Sequence, residues 1–384
     1  MKILFTTLRE KSHFFAMIPF IEACQRQGHT IAVAAPPDFA ERVGALGVQF
    51  LPFGHPGDEA LNPIWARLRT ATLPEVWRIA LGDVFAGPCA GAAIPKLLET
   101  IETWKPAIVV RESHEFAALI AAEKAGVPHI RAAICAPGAE AQIAGHVASA
   151  VDGHRRAWGL PPDPTGERIR AEGAVTLFPP SYDDAPAPAA GLARFHVART
   201  KAPPLPDWWG GQEEEAPFVY ATLGTVTGRI EQMHAAYRMI LAALAELPVR
   251  ALLTTGSELP PAVLAESPPN VHVERFVPQD DVIPHAAAVL CHGGSGTVLG
   301  TLAAGVPMVV TPLFADQPHN GGRIAAIGAG LTIPADKISA EALRAAISRV
   351  VGEPSFHVRA RQLADEIAAL PLVDDAPASM RRLM

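Results

Sequence analysis

Ala287-Ala288-Val289-Leu290-Cys291-His292-Gly293-Gly294-Ser295-Gly296-Thr297 is an uncharged apolar run that turns abruptly into glycine, histidine and hydroxyl residues. Its first part predicts a strand buried on both faces, because an unbroken apolar run of that length belongs inside a parallel sheet. The glycines permit a tight turn and let the backbone approach an anion closely. A helix expected over 297–304 would add free amides aimed at the same point. Ser295 and Thr297 contribute hydroxyls, and His292 a ring N–H. A glycine pair alone is as often a ligand-free turn, but the order His-Gly-Gly-Ser-Gly-Thr directly after a buried strand favours an anion site. Neither a Gly-x-x-x-x-Gly-Lys-Ser/Thr loop nor a Gly-x-Gly-x-x-Gly after the first strand is present, so a nucleotide belongs on the second half of the chain.

Outward from this turn, apolar runs and helical spacings alternate. Strands are expected over 218–222, 250–255, 271–274 and 308–311, with a helix over 231–246. The chain opens in the same way, with a strand over 2–6, a helix over 14–27 closed by Gly28, and a strand over 30–35. It repeats with strands over 106–110 and 128–133 around a helix over 115–125. Such alternation predicts an α/β fold with two Rossmann-like, doubly wound parallel sheets. Residues 179–215 hold many prolines and Glu213-Glu214-Glu215, cannot supply a continuous core, and read as a connection. The expected division is therefore 1–200, a linker over 201–216, 217–354, and a terminal segment over 355–384.

Composition narrows the class. A chain of 384 residues exceeds what one core usually supports. A net charge of −7 argues against a nucleic-acid or anionic-membrane partner. Cys24, Cys89, Cys135 and Cys291 are widely spaced, so neither a cysteine zinc site nor a disulfide scaffold is indicated, and a cytoplasmic setting is expected. The stretch 296–315 lacks charge, but Gly305-Val306-Pro307 and Pro312 make it a buried helix and strand rather than a membrane span.

Phe276-Val277-Pro278-Gln279, His285, His292-Gly293-Gly294, Gly305-Val306-Pro307, Pro312, Asp316-Gln317 and Asn320 fall in one further pattern. Their order and spacing resemble the donor-binding signature of family 1 glycosyltransferases, the bacterial natural-product enzymes and their plant UDP-sugar relatives. The resemblance is dense over 276–330 and collinear, though weaker, elsewhere. It implies the GT-B fold, two such domains facing each other across a cleft, and the terminal segment crossing back to the first. It further implies inverting transfer of a sugar from a UDP- or dTDP-sugar to a hydroxyl of a small apolar acceptor such as a polyketide or flavonoid. By the same resemblance Phe276 stacks on the base, and Val277 and Gln279 read base and ribose. His292, Gly294, Ser295, Gly296, Thr297 and Asn320 hold the phosphates, Thr225 faces them from the turn at Gly224, and Asp316 and Gln317 take the sugar hydroxyls. On the residues alone, Phe276 also suits a core position and Asp316 a helix cap. No metal is implied, since no Asp-x-Asp is present; no cofactor is expected, the nucleotide-sugar being a co-substrate.

His13 lies between the first strand and its helix, at the carboxyl end of a parallel strand where α/β folds bind ligands. Histidine suits removal of a hydroxyl proton near neutral pH, and the resembled family carries its catalytic base here. The family then places an aspartate after the strand at 106–110. Glu112 is in register with it, and Glu115 is the rival partner for His13. Trp65, Trp77 and Phe85 are candidates for an acceptor pocket or for ordinary local core. Two alternatives stand beside the transferase: an enzyme of the same fold acting as a sugar-nucleotide 2-epimerase, and a non-catalytic nucleotide-binding partner protein. A monomer or homodimer is expected, with no integral membrane segment.

Overall fold

The structure, a computed structural model, describes residues 1–69, 71, 73–184, 191–199, 201–205, 216–225, 227–260, 263–264 and 267–383. The chain forms two compact units. The first comprises Met1–Phe178, Asp183–Ala198 and Leu370–Met384; the second comprises Pro179–Tyr182 and Arg199–Ala369.

The first unit is built on strands β1 (Lys2–Thr6), β2 (Thr30–Ala35), β3 (Gln49–Pro52), β4 (Ile108–Glu112), β5 (His129–Ala133), β6 (Ala174–Thr176) and β7 (Leu192–Arg194). All pair in parallel, in the order β3-β2-β1-β4-β5-β6-β7. Alternation along the strands splits the core between the two faces. Ile3, Phe5, Val33, Ile108 and Val110 pack with Phe14, Met17 and Phe20 of helix Lys11–Arg26, and with Val373, Ala376 and Met380 near the chain end. Leu4, Ala32, Ala34 and Val109 pack on the other face with Leu97, Ile101, Leu119 and Ile143. Burial on both faces is why these strands read as unbroken apolar runs.

The second unit carries β8 (Phe218–Thr222), β9 (Arg250–Thr254), β10 (Val271–Glu274), β11 (Ala288–Cys291), β12 (Met308–Val310) and β13 (Gly330–Thr332). These are also parallel, in the order β10-β9-β8-β11-β12-β13. Val219, Ala221, Leu253, Leu290 and Val309 pack against Tyr237, Ile240 and Leu244 of helix His234–Ala245 and against Leu343, Ile347 and Val350 of helix Ala340–Gly352. In each sheet the winding reverses beside the first strand, between β1 and β4 and between β8 and β11. Crevices for ligands open at the carboxyl ends of strands at such points.

Several elements depart from the sequence reading. β3, β6, β7 and β13 carry no periodic signal, and β7 lies inside the proline-rich stretch expected to be a connection only. Of the linker expected over 201–216, residues 206–215 lie outside the described residues. Helix Pro354–Ala368 belongs to the second unit and helix Ala376–Arg382 to the first. The aperiodic stretch after Gly54 holds helices Asp58–Ala66 and Leu73–Arg78, then a π-helical Ile79–Cys89 interrupted at Gly87 (φ −88°, ψ −107°). Among the described residues no helix is long and apolar enough to cross a membrane.

Candidate functional site

At the reversal point of the first sheet, β1 runs into the loop that starts helix Lys11–Arg26, and His13 stands in that helix's first turn. β4 ends on Glu112. Their side chains meet, with His13 Nδ1 3.1 Å from Glu112 Oε1. Glu112 is wholly buried, and its other oxygen accepts the His114 amide at 2.7 Å. Burial pushes its pKa up, but His13, the hydrogen bond to it, His114 and the amide together outweigh burial and hold the carboxyl below its usual range. An ionised carboxylate there fixes the tautomer with the proton on Nδ1 and leaves the lone pair on Nε2.

Glu115 does not meet His13 through any of its hydrogen bonds. It accepts the Thr6 hydroxyl at 2.8 Å and the amides of Ala117 and Ala118 at 2.9 and 3.0 Å, capping the start of helix Ala117–Ala125. Burial, with Glu112 adding, pushes its carboxyl up to about 7 against the Thr6 bond. The geometry therefore pairs His13 with Glu112 and gives Glu115 to the helix.

Around His13 stand aromatic rings. Phe85 meets it edge-on at 6.0 Å, and His114 does so at 5.0 Å. Phe85 stacks on His114 at 6.2 Å, Trp65 meets Phe85 at 6.2 Å, and Trp77 reaches His114 at 6.4 Å and His146 at 5.9 Å. Trp65, Trp77 and Phe85 are thus gathered beside the dyad, each only half-buried. His114 and His146 are additions that the sequence did not single out. The pattern Glu112-Ser113-His114 leaving a buried strand was the available signal for His114. Burial, followed by neighbouring His13, takes the His114 ring down to about 3, so it is neutral at physiological pH.

Beneath the dyad lies a buried ionic cluster. Arg111 and Arg131 both bind Glu172, and Arg131 Nε also pairs with Glu140 at 3.1 Å. Ser113 donates to Glu140 and accepts the Ile134 amide at 3.1 Å. These bonds lock the exits of β4 and β5 together, and so fix the backbone that carries Glu112 and His114.

In the second unit the reversal point carries the glycine turn. β11 delivers His292, and helix Ser295–Ala303 begins at once, with Gly294 as its N-cap. The half-buried His292 ring lies where two absent side chains would stand. A Cβ on Gly294 would come 2.6 Å from Nε2, and one on Gly224 2.8 Å from it. Burial lowers the His292 ring to about 4, so it is neutral and offers one N–H. Ser295, Gly296 and Thr297 place the helix-start amides, with Thr297 buried and Gly296 exposed. Thr225 is exposed in the turn after β8, next to Gly224 (φ 78°). Phe276 is 68% exposed, which removes the core reading and leaves a ring face available for stacking. Val277 beside it is buried, and Gln279 begins the short helix Gln279–Val282.

The remaining donor-side candidates bond mostly to one another. Asp316 Oδ2 accepts the Ser295 hydroxyl at 2.6 Å and the Asn320 amide at 3.0 Å. Asp316 occupies the N-cap position of helix Gln317–Ala326 without capping it. Asn320 is fully buried and also donates to Gly293 O at 2.9 Å, so it braces the glycine turn from behind. Gln317 is buried, with Oε1 accepting the amides of Leu313 and Phe314 at 2.9 and 3.0 Å, which holds the preceding loop.

Residues 238–380 match the family model described as "Erythromycin biosynthesis protein CIII-like, C-terminal domain". The chain is 29% identical over 388 residues to L-demethylnoviosyl transferase of Streptomyces niveus, covering 97% of this chain and 95% of that one. It is 28% identical over 414 residues to tylactone mycaminosyltransferase of Streptomyces fradiae, covering 97% and 90%. The crystal structure of glycosyltransferase VinC in complex with dTDP superposes with a TM-score of 0.78 at 25% identity, covering 100% of this chain and 99% of that one. Spinosyn rhamnosyltransferase SpnG shares the fold, with a TM-score of 0.80 at 24% identity and full coverage of both chains.

Proposed function

We propose, on the premise that this chain is a GT-B glycosyltransferase of the bacterial natural-product kind, that it transfers a sugar with inversion from a dTDP-sugar to a hydroxyl of a small apolar acceptor. The observation that carries this reading is the contact between His13 Nδ1 and the buried Glu112 carboxylate at 3.1 Å. With the Nδ1 proton held there, Nε2 takes the acceptor's hydroxyl proton as its oxygen bonds to C1 and the bond from C1 to the diphosphate breaks. Glu112 stabilises the imidazolium that forms. Trp65, Trp77 and Phe85 offer apolar faces to the acceptor, and the half-buried rings suit a planar aglycone.

The donor falls to the second unit. The leaving diphosphate gains charge, and the helix start at Ser295, Gly296 and Thr297 with the neutral His292 ring supplies fixed donors for it. Exposed Phe276 stacks on the base, Gln279 and the Val277 backbone lie beside base and ribose, and Thr225 lies on the phosphate side. Asp316 takes a sugar hydroxyl, while Asn320 and Gln317 hold its surroundings in place. Thymidine is preferred over uridine because VinC, alike over its whole length, binds dTDP. A panel of dTDP- and UDP-sugars with phenolic and aliphatic acceptors tests the reading. β-Configured product from an α-linked dTDP-sugar supports it, and failure of every sugar nucleotide to bind overturns it.

A further inference from the structure

We propose that His13, Glu112 and His114 form a zinc site whose occupation shuts the enzyme off. One ligating atom from each of the three lies within 4.8 Å of the other two. Tetrahedral zinc ligands at roughly 2.1 Å from the ion stand about 3.4 Å from one another, so small side-chain rotations close the set. Two imidazoles and one carboxylate make an open zinc site, with the fourth position left to water.

A second observation points to a ligand. The Nδ1 atom of buried His114 has no hydrogen-bond partner, whereas buried ring nitrogens are normally satisfied. Its other nitrogen, Nε2, stands 3.8 Å from Cys135 Sγ. In the tautomer whose Nε2–H faces that sulfur, the lone pair lies on Nδ1, which is how an outer partner sets a metal-binding histidine. The carboxylate is already held, since Glu112 Oε2 accepts the His114 amide at 2.7 Å.

Zinc entering between His13 Nδ1 and Glu112 displaces the proton from Nδ1. In the neutral ring that proton then resides on Nε2, and the lone pair needed to accept a hydroxyl proton is gone. The metal is thus an inhibitor, and the transfer itself has no need of it. Metal binding stands on the ligand set alone; the shut-off rests on His13 acting as the base.

Co2+ alone, titrated into the full-length protein, serves as a spectroscopic probe, and Zn2+ alone is followed by calorimetry and by turnover. One Co2+ per chain with visible ligand-field absorption, displaced by Zn2+, is expected, together with inhibition that a chelator reverses. His114→Phe, which keeps a ring in the stack, should weaken zinc more than about 100-fold, and Cys135→Ala by about 10-fold. Should His114→Phe fail to fold, His13→Phe carries the same binding test from a residue nearer the surface. Absence of the Co2+ band in the wild type, or unchanged zinc affinity in these ring variants, overturns the site. Zinc that binds with the expected variant pattern yet leaves turnover unchanged overturns the shut-off and the role of His13 as base.

Discussion

Replacing Gly294 by alanine isolates the placement of the His292 ring. The backbone at Gly294 (φ −63°, ψ 138°) is open to any residue, so alanine brings no strain of its own. A Cβ there would stand 2.6 Å from His292 Nε2 and 3.0 Å from Cε1, and the ring must move. The fold should barely notice. The shorter list of unfolded conformations open to alanine adds about 0.4–1 kcal/mol, which offsets the local shift. Binding should notice a great deal. A hydrogen bond to a charged phosphate contributes about 1.5–3 kcal/mol, so its loss weakens dTDP by roughly 10- to 150-fold. Calorimetric titration with dTDP, alongside thermal unfolding, reads both quantities. Gly293→Ala is the contrasting variant. Its φ of 88° and a Cβ 2.7 Å from Val310 Cγ1 place the cost in the fold, with about 1–2 kcal/mol from the backbone alone. Unchanged dTDP affinity in Gly294→Ala would refute the assignment of His292 to the phosphates.

Other outcomes follow from the same geometry. His13→Ala should lower kcat by about 10²- to 10⁴-fold while dTDP still binds with wild-type affinity, a split visible by steady-state kinetics and calorimetry. Glu112→Gln keeps the side chain's size but removes the charge that selects the tautomer, and should lower kcat by up to about 10⁴-fold. Phe276→Ala should leave the melting temperature unchanged, since the ring is 68% exposed, and weaken dTDP by about 1–3 kcal/mol through lost stacking. For Glu172, burial pushes the pKa up but Arg111 and Arg131 outweigh it, so the folded value lies below the ordinary 4.5. Its contribution is present above that value and is lost as pH falls through the lower folded one. Stability from denaturant titrations should therefore drop below about pH 4.5, with a shallower slope in Glu172→Gln.

What the sequence disclosed and what it withheld have physical causes. β1, β2 and β8 are read to their ends because burial on both faces makes them nearly continuous apolar runs, whereas β10, half-buried at the sheet edge, alternates apolar valines with His272 and Glu274. β6, β7 and β13, at three residues each, are too short for any period to show. Their strand character comes from the neighbour they pair with. The helices after Gly54 were obscured by Pro63, Pro88 and Gly87, and the π-helical turn has a period that helical spacing does not match. In the site, His13, Glu112 and the glycine turn were legible because each follows a recognisable strand at a reversal of the winding. The choice of Glu112 over Glu115 was not, since both leave the same strand and only the fold shows which one caps the next helix. His114 went unread for a related reason: its role depends on Phe85 and Cys135, which are distant in sequence.

The two units are not two halves of the chain. Ala376 and Met380, almost at the end, are buried in the core that Ile3 and Phe5 begin, and a Cβ on Gly173 would meet Leu383 Cβ at 2.7 Å. An experimenter recombining such enzymes to mix acceptor and donor preferences would naturally cut once, in the proline-rich stretch. A single crossover leaves the final helix of one parent against the sheet of the other, with a foreign set of side chains filling that core. The exchangeable cassette is the interior segment Arg199–Ala369, which has two junctions, and it must be matched with Pro179–Tyr182, the short piece of the same unit that precedes it in the chain. Chimaeras that respect both ends should express and fold where single-junction ones precipitate.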